Sequence, residues 1–546
     1  ILCSTMFVQT SKTTINGKTY ACKTVRESYR TAKGPRSRLV CNISKLPDHV
    51  QSGIEFLLKK PGGSFVSSDS LGLCDALGFG GIAVLHDAWN RFGLDRILSG
   101  VDDAADRGRL KAMVFARLLF PGSKLSLRTT SADSALAASC GLSQADLDED
   151  RLYKAMDCLS GNWVGVEKGL YSEAFPSGAT LVLYDLTSSY FEGAKNKKLA
   201  AYGYSRDHRD DRMQLILALA TGADGVPIHM EVLKGNRADN RTLLPLLASL
   251  KRRFGIKRAV FAFDGGMSSA INLEQMRSDE LDYVTRLSSS TLKALARNLP
   301  EDNQPELWDR DSLVEFEEDG KRYVVAGSEY RQQRDRERRE ARIAKGRFGL
   351  EAFNRVNRKK VDVQKLSAQV GCMLARAKAL KYFDYHIEAD GTATWSEKAE
   401  VVETEQRFDG WYLLTTTLAR PDAPKETVFA HYRNLLDVED AFRETKSYLE
   451  MRPIYHQKDD RVRNHIRICF LAYWISARLR NAWQEKGERR EVPLVLRELQ
   501  QIKVGRLRMN EKPLKVVLTD IPGKLYAILE KLGLLPLFQR APTWAS

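Results

Sequence analysis

The chain has 546 residues, and at roughly 150 residues per domain that length points to three or four domains. With 85 Lys and Arg against 70 Asp and Glu it carries a net charge of +15, which favours a polyanionic partner, nucleic acid ahead of an acidic membrane surface. A hydrophobic content of 43% with 28% charged residues excludes wholesale disorder and fibrous repeats.

No apolar run approaches the ~18 residues of a spanning helix. Eight scattered cysteines without a Cys-x-x-Cys pair argue against a zinc module or a disulfide scaffold and fit a reducing cytosol. The opening Ile1-Leu-Cys-Ser-Thr-Met6 has no basic or long apolar segment of a signal peptide, and Met6 is the expected start.

In chain order, residues 6–48 alternate apolar and polar side chains around Asn16-Gly17, which predicts a small β hairpin unit, and the Gly/Ser-rich residues 61–70 read as a linker. From about 71 to 176 the apolar spacing turns helical, as in Ile82, Leu85, Ala88, Trp89 and Phe92. Gly78-x-Gly80-x-x-Ala83 imitates a dinucleotide fingerprint, but no apolar strand is read before it, so it is taken as a helix start.

Residues 180–184, 214–221 and 227–233 are apolar strand runs, 241–254 carries leucines at helical spacing, and 258–263 is a further buried-strand run. A helix at about 268–279 and a fifth strand at 283–287 follow. Hairpin signals at Asp319-Gly320, Asp390-Gly391 and Asp409-Gly410 then mark a long excursion. Within it, residues 331–360 hold twelve Lys and Arg against four Asp and Glu. That imbalance favours phosphate contact over a self-paired solvated helix. Residues 411–417 return to a strand pattern, 424–449 read as one long helix, and the last hundred residues read as helical.

Two acids each end a strongly apolar run, Asp185 after Leu-Val-Leu-Tyr and Asp264 after Ala-Val-Phe-Ala-Phe. Either alone is more simply a turn or helix cap. As a pair on a rigid sheet rim they point to shared divalent cations. On the 424–449 helix, Tyr432, Glu439 and Lys446 are seven apart and seven again, so an unbroken helix places them in one stripe, with Arg443 within about 20° of it. The plain alternative for Glu439 and Arg443 is an exposed ion pair four residues apart.

These pieces together resemble bacterial insertion-sequence transposases of the DDE type, in the group whose third acid lies in a Tyr-x2-Arg-x3-Glu-x6-Lys signature. The resemblance rests on Leu-Tyr-Asp185-Leu-Thr-Ser-Ser-Tyr-Phe-Glu-Gly, Tyr204-Ser-Arg-Asp-His-Arg209, Gly235-Asn-Arg-Ala-Asp239, Phe263-Asp264-Gly-Gly-Met267 and Phe442-Arg-Glu-Thr-Lys446, with Arg452-Pro-Ile-Tyr-His456 beyond. It covers about 178–480.

The fold it implies is an α/β ribonuclease-H-like core interrupted by a β-rich insertion, flanked by the N-terminal β unit, the helical module and a helical C-terminal tail. The boundaries follow as 1–65 β unit and linker, 66–177 helical module expected to bind DNA, 178–290 first core part, 291–409 β-rich insertion with its basic helix, 410–480 second core part and 481–546 tail.

By position, the resemblance implies Asp185, Asp264 and Glu439 as catalytic metal ligands for two Mg²⁺ or Mn²⁺ ions, and Tyr432 and Lys446 as DNA contacts. Leu435 stands at the signature's Arg position, so Arg443 or Arg433 takes that role, Arg443 being better placed by helical angle. The implied activity is phosphodiester cleavage and joining of 3′-hydroxyl ends to target DNA. The partners are double-stranded DNA (terminal inverted repeats and target) and a second copy as a homodimer, and the expected location is the bacterial cytoplasm at the nucleoid. The alternatives are a two-metal nuclease without strand transfer and an inactive DNA-binding regulator. Trp308 or Trp395 of the insertion could stack on a displaced base, though hairpin packing is the plainer role.

Overall fold

The computed structural model describes residues 5–15, 17–60, 71–193, 196, 198–256, 259–297, 299, 309, 313–356, 361–509 and 512–541. The linker expected at 61–70 and Trp308 lie outside the described residues. Two compact units are present, one formed by 1–77, 503–519 and 540–546, the other by 78–502 and 520–539.

In the first unit β1 (Thr5–Ile15), β2 (Lys18–Thr31) and β3 (Gly34–Asn42) form an antiparallel meander, with Ile15 opposite Lys18. That register leaves two residues between the strands, as the sequence predicts; Gly17 has a φ of 76°, and Asn16 lies outside the described residues. Helix α1 (Asp48–Lys59) follows. Residues Leu71–Gly78, expected to open the helical module, are instead strand β4. Leu71 and Leu73 stand two apart, a strand period, and β4 gains its partner from residues more than four hundred positions later.

The second unit begins with a helical module: α2 (Gly80–Arg91), α3 (Leu94–Ile97), α4 (Ala104–Leu119), α5 (Lys124–Thr130), α6 (Leu136–Ser139), α7 (Glu149–Asp157) and α8 (Leu159–Ala174). Gly80 opens a helix, as read from the sequence. A Cβ there would overlap the Leu499 carbonyl, so the Gly-Gly pair serves close helix packing.

The core sheet then assembles. Strands β5 (Leu181–Tyr190), β6 (Gln214–Gly222) and β7 (Pro227–Lys234) run antiparallel. Helix α9 (Leu243–Phe254), which buries Leu243, Leu246, Leu247 and Leu250, carries the chain across to β8 (Val260–Phe263), parallel to β5. Helix α10 (Ala270–Ser278) leads to β9 (Tyr283–Arg286), parallel to β8. β6 is buried along its whole length. Strands covered on both faces read as continuous apolar runs, which is why they were visible in the sequence.

The excursion departs from the β-rich expectation. After α11 (Ser289–Ala296), the hairpin β10 (Val314–Glu318) and β11 (Lys321–Ala326) joins the core sheet. Helices α12 (Glu329–Asn354) and α13 (Val363–Arg376) then pack with the short hairpin β12 (Phe383–Ile387) and β13 (Ala393–Glu397), followed by α14 (Ala399–Gln406). Leu350, Val370, Leu374, Tyr382 and Phe383 form the separate small core of this mainly helical part.

Asp409-Gly410 does not make a hairpin turn. It links α14 to β14 (Tyr412–Thr416), and Asp409 takes a buried two-pronged ion pair from Arg339 at 2.6 Å. β14 completes the sheet order β10-β11-β14-β9-β8-β5-β6-β7.

The long helix expected at 424–449 is divided. α15 (Lys425–Arg433) and α16 (Leu435–Arg443) meet at Asn434, and a π-helical turn, Glu444–Tyr448, ends the run. α17 (Asp459–Gln484), wholly buried from Ile468 to Ile475, packs against both the helical module and β7. α18 (Val492–Leu499) follows. The C-terminal tail is not all helical: β15 (Lys503–Met509) and β16 (Lys512–Leu518) extend the first unit's β4 sheet before α19 (Gly523–Leu532). Among the described residues no helix is long and apolar enough to cross a membrane.

At Gly235 a Cβ would overlap the Gln214 carbonyl and come within 2.7 Å of the Ala201 oxygen. Those are backbone atoms that cannot rotate away. Gly235→Ala is expected to destabilise the protein by about 1–3 kcal/mol or more, read as a lower urea midpoint with an unchanged slope; an unchanged midpoint would contradict this packing.

Candidate active site

Parallel pairing of β5 with β8 sets Leu183 opposite Ala262 and Tyr184 opposite Phe263. The next residue in each case is an acid: Asp264 lies just past the end of β8, whereas Asp185, expected at a strand end, lies midway along β5, which runs on to Tyr190, and the two stand at the same level. α16 lies against β5 and brings Glu439 to the same rim. Asp185 feels both other acids. Burial pushes its carboxyl up to about 7, and the charges of Asp264 and Glu439 add to that, against the backbone N–H of Leu186 and the Arg206 guanidinium. Glu439 is also raised, by burial first and then by Asp264 and Asp440. Among the described residues no three His, Cys, Asp or Glu side chains already form a closed cation cage.

The Asp264 side chain is about half exposed, with Arg286 Nη2 at 3.4 Å from its Oδ1. Tyr432 donates to the same oxygen at 3.5 Å. Burial pushes the Tyr432 phenol up to about 12, so it is a donor at neutral pH. Lys446 lies on the same side of the sheet. Its ammonium donates to Thr187 Oγ1 at 2.7 Å, and Thr187, two residues beyond Asp185, projects from the same face of β5. Tyr432, Glu439 and Lys446 therefore do line one side, although the helix is broken at Asn434 and ends in a π turn.

Arg443 is not brought to this rim. Its side chain is 60% exposed, paired with Asp440 at 3.0 Å and near Glu491 at 4.0 Å. The unbroken-helix geometry that favoured it does not describe this segment. Arg433, the other arginine considered, sits over the Phe429 ring.

The sequence reading missed three groups. Arg286 ends β9 beside Asp264, which itself follows the end of β8. Arg206 pairs with Asp239 at 2.7 Å and acts electrostatically on Asp185. Asp207, in the connection between β5 and β6, has a buried side chain and accepts from Lys446 at 2.8 Å and Arg452 at 2.5 Å. The polar cluster Tyr204-Ser-Arg-Asp-His-Arg209, placed just before a fully buried strand, was the available signal.

Three histidines make contacts away from the acids. His229 bonds buried Glu167 at 2.7 Å, and His456 and His465 surround the buried Lys124 ammonium. Trp395 packs against the small core of the excursion.

The donors of Asp185, Asp264 and Glu439 are all carboxylate oxygens, and the repulsion between them adds to the burial that raises Asp185 and Glu439, which suits a hard divalent cation better than a soft one. A transposase DDE domain family matches residues 176–475, more than half of the chain and all three acids. No curated protein matches the sequence. Among solved structures, a piggyBac transposase synaptic complex with hairpin DNA aligns at a TM-score of 0.39 and 8% identity, over 73% of this chain and 70% of that one.

The raised Asp185 carboxyl has a stability consequence. Below about pH 4 the group is protonated in folded and unfolded chains alike; between there and about 7 only the folded chain keeps the proton, so stability falls as pH rises, and above 7 the loss is complete. Asp185→Asn lacks this penalty. In the cation-free protein it is expected to be more stable than wild type by roughly 1–4 kcal/mol at pH 8, with the gap closing toward pH 4, as followed by urea unfolding at both pH values. Equal stability at pH 8 would show that neighbouring cations already neutralise Asp185.

Proposed function

Because the chain belongs to the transposase DDE domain family, we propose that it cuts the ends of its own bacterial insertion sequence and joins the freed 3′-hydroxyls to target DNA, acting as a dimer that pairs two ends. The observation that carries this reading is the shared level of Asp185 within β5 and Asp264 just past the parallel β8, with Glu439 felt electrostatically by Asp185.

Asp185, Asp264 and Glu439 would hold two Mg²⁺ or Mn²⁺ ions, whose chemistry is to activate a water or 3′-hydroxyl and to neutralise the leaving oxygen. The chain's own groups do the rest. Tyr432 orients Asp264 through its hydroxyl. Arg286 offsets negative charge beside that carboxylate and, being part-exposed, is positioned to meet a phosphate. Lys446 supplies a cation along β5, beyond Asp185. Held on the core sheet and a packed helix, these groups need little rearrangement to address one phosphodiester.

The test is cleavage of a supercoiled plasmid carrying the coding segment with its natural flanks, in Mg²⁺. Wild type is expected to release the element and join it to a second plasmid. Asp264→Ala and Glu439→Gln are each expected to lose at least about 10³-fold in rate, the scale of removing a group that stabilises the transition state. Full activity in either variant would refute the assigned site. Cutting without joining would identify a nuclease, and tight end binding without cutting an inactive regulator.

The same assay separates the arginines. Arg286→Ala is expected to slow cleavage roughly tenfold or more, and Arg443→Ala to stay within about threefold of wild type, as for an exposed ion pair. The reverse order would restore Arg443 to the site.

A further inference from the structure

One carboxylate that the proposed chemistry leaves unused is held in an unusual way. The Asp207 side chain is 3% exposed, although it lies in the connection between β5 and β6 rather than in the core. Its Oδ1 accepts from both Lys446, at 2.8 Å, and Arg452 Nη1, at 2.5 Å, while its Oδ2 is buried without a hydrogen-bond partner. Such a group is costly to desolvate, and two cations on one oxygen compensate it.

The Lys446 end of the arrangement is equally constrained. Its side chain is 8% exposed, and its ammonium bridges Asp207 and Thr187. Thr187 projects from the same face of β5 as Asp185, two residues or about 6.6 Å along the strand. The neighbouring Arg206, from the same connection as Asp207, reaches electrostatically to Asp185 and is itself held by Asp239. One loop therefore fixes two cationic groups beside the acid rim.

We propose that Asp207 is a positioning residue for the DNA reaction: through Oδ1 it holds the Lys446 ammonium, with Arg452 beside it, at the height on β5 where the phosphate next to the cut bond is met. This rests on the reading of the acid rim given above and deepens it. The charged groups around Lys446 are Asp207, Arg452 and Arg206. Burial drives the Lys446 pKa down, the two arginines add to that, and Asp207 opposes them. Without the Asp207 charge, the lysine is left in a dry, positive surrounding and gives up its proton more readily.

A double-mutant cycle on the flanked plasmid tests the assignment, with single-turnover cleavage in Mg²⁺ at saturating protein. Asp207→Asn and Lys446→Gln are each expected to slow cleavage by roughly tenfold to a hundredfold, the effect of misplacing a reacting group. The double variant is expected to be no slower than Lys446→Gln alone, within about twofold, because Asp207 acts through the lysine. Losses that multiply in the double variant, or a wild-type rate for Asp207→Asn, would overturn the proposal.

A second measurement is independent of cleavage. In protein with ¹³C-methylated lysines, the Lys446 NMR signal is expected to titrate at lower pH in Asp207→Asn than in wild type. An unchanged titration would equally count against the proposal. If Asp207→Asn does not fold, Asp207→Glu keeps the charge but shifts it by one methylene; it is expected to keep the Lys446 titration while slowing cleavage, and a fall in titration to lower pH would overturn the proposal. Absence of cutting by wild type would instead refute the transposase reading, and the titration would still judge Asp207.

Discussion

Repulsion between carboxylates set at one level on paired parallel strands is the constraint around which the rest of the site is organised. Tyr184 and Phe263 are register partners, and neither Asp185 nor Asp264 can retreat without breaking the pairing at the centre of the sheet. Glu439 adds a third negative charge from α16. The chain answers these charges incompletely. Arg286 stands at 3.4 Å from Asp264, and Arg206, already paired with Asp239, acts on Asp185 from further away. A buried acid raised toward neutrality is stability given up at a functional rim, and external positive charge restores the balance.

The third acid depends on a helix that is not regular. Spacing by seven put Tyr432, Glu439 and Lys446 in one stripe only if the helix ran unbroken. The backbone breaks at Asn434 and widens into a π turn at Glu444–Tyr448. The tyrosine still reaches Asp264 and the lysine still reaches Thr187, because each is fixed by its own contact with the sheet. Arg443 has no such contact. It lies on the exposed side with Asp440, and helical angle alone placed it too close to the stripe.

What was legible in the sequence was what local physics enforces. Strands buried on both faces read as unbroken apolar runs, so the order from β5 to β9 and the two acids that follow such runs could be read directly, although β5 runs on past Asp185 to Tyr190 because its later residues are polar. The turns at Asn16-Gly17, Asp319-Gly320 and Asp390-Gly391 declared themselves by residue type. Long-range pairing did not. Nothing local shows that β10 and β11 extend the core sheet, or that Leu71–Gly78 is a strand whose partner is Lys503–Met509. The contacts of Asp207 were not legible for the same reason: they are two cations that arrive from about 240 residues downstream.

The basic excess is also distributed differently from what a count suggests. In the most basic segment, Arg339 is buried on Asp409, Arg347 pairs with Glu397, and Arg336 pairs with Glu340, so part of the charge holds the excursion together. Beside the acids, the cations of Arg206, Lys446 and Arg452 are likewise held by Asp239 and Asp207. Charge placed this way differs from a mobile basic surface. A free lysine on the surface loses side-chain entropy when it meets a phosphate, whereas Lys446 has already lost it to Asp207 and Thr187 in the folded chain. The cost falls on folding and leaves more of the binding energy for the transition state, where preorganised charge is most effective.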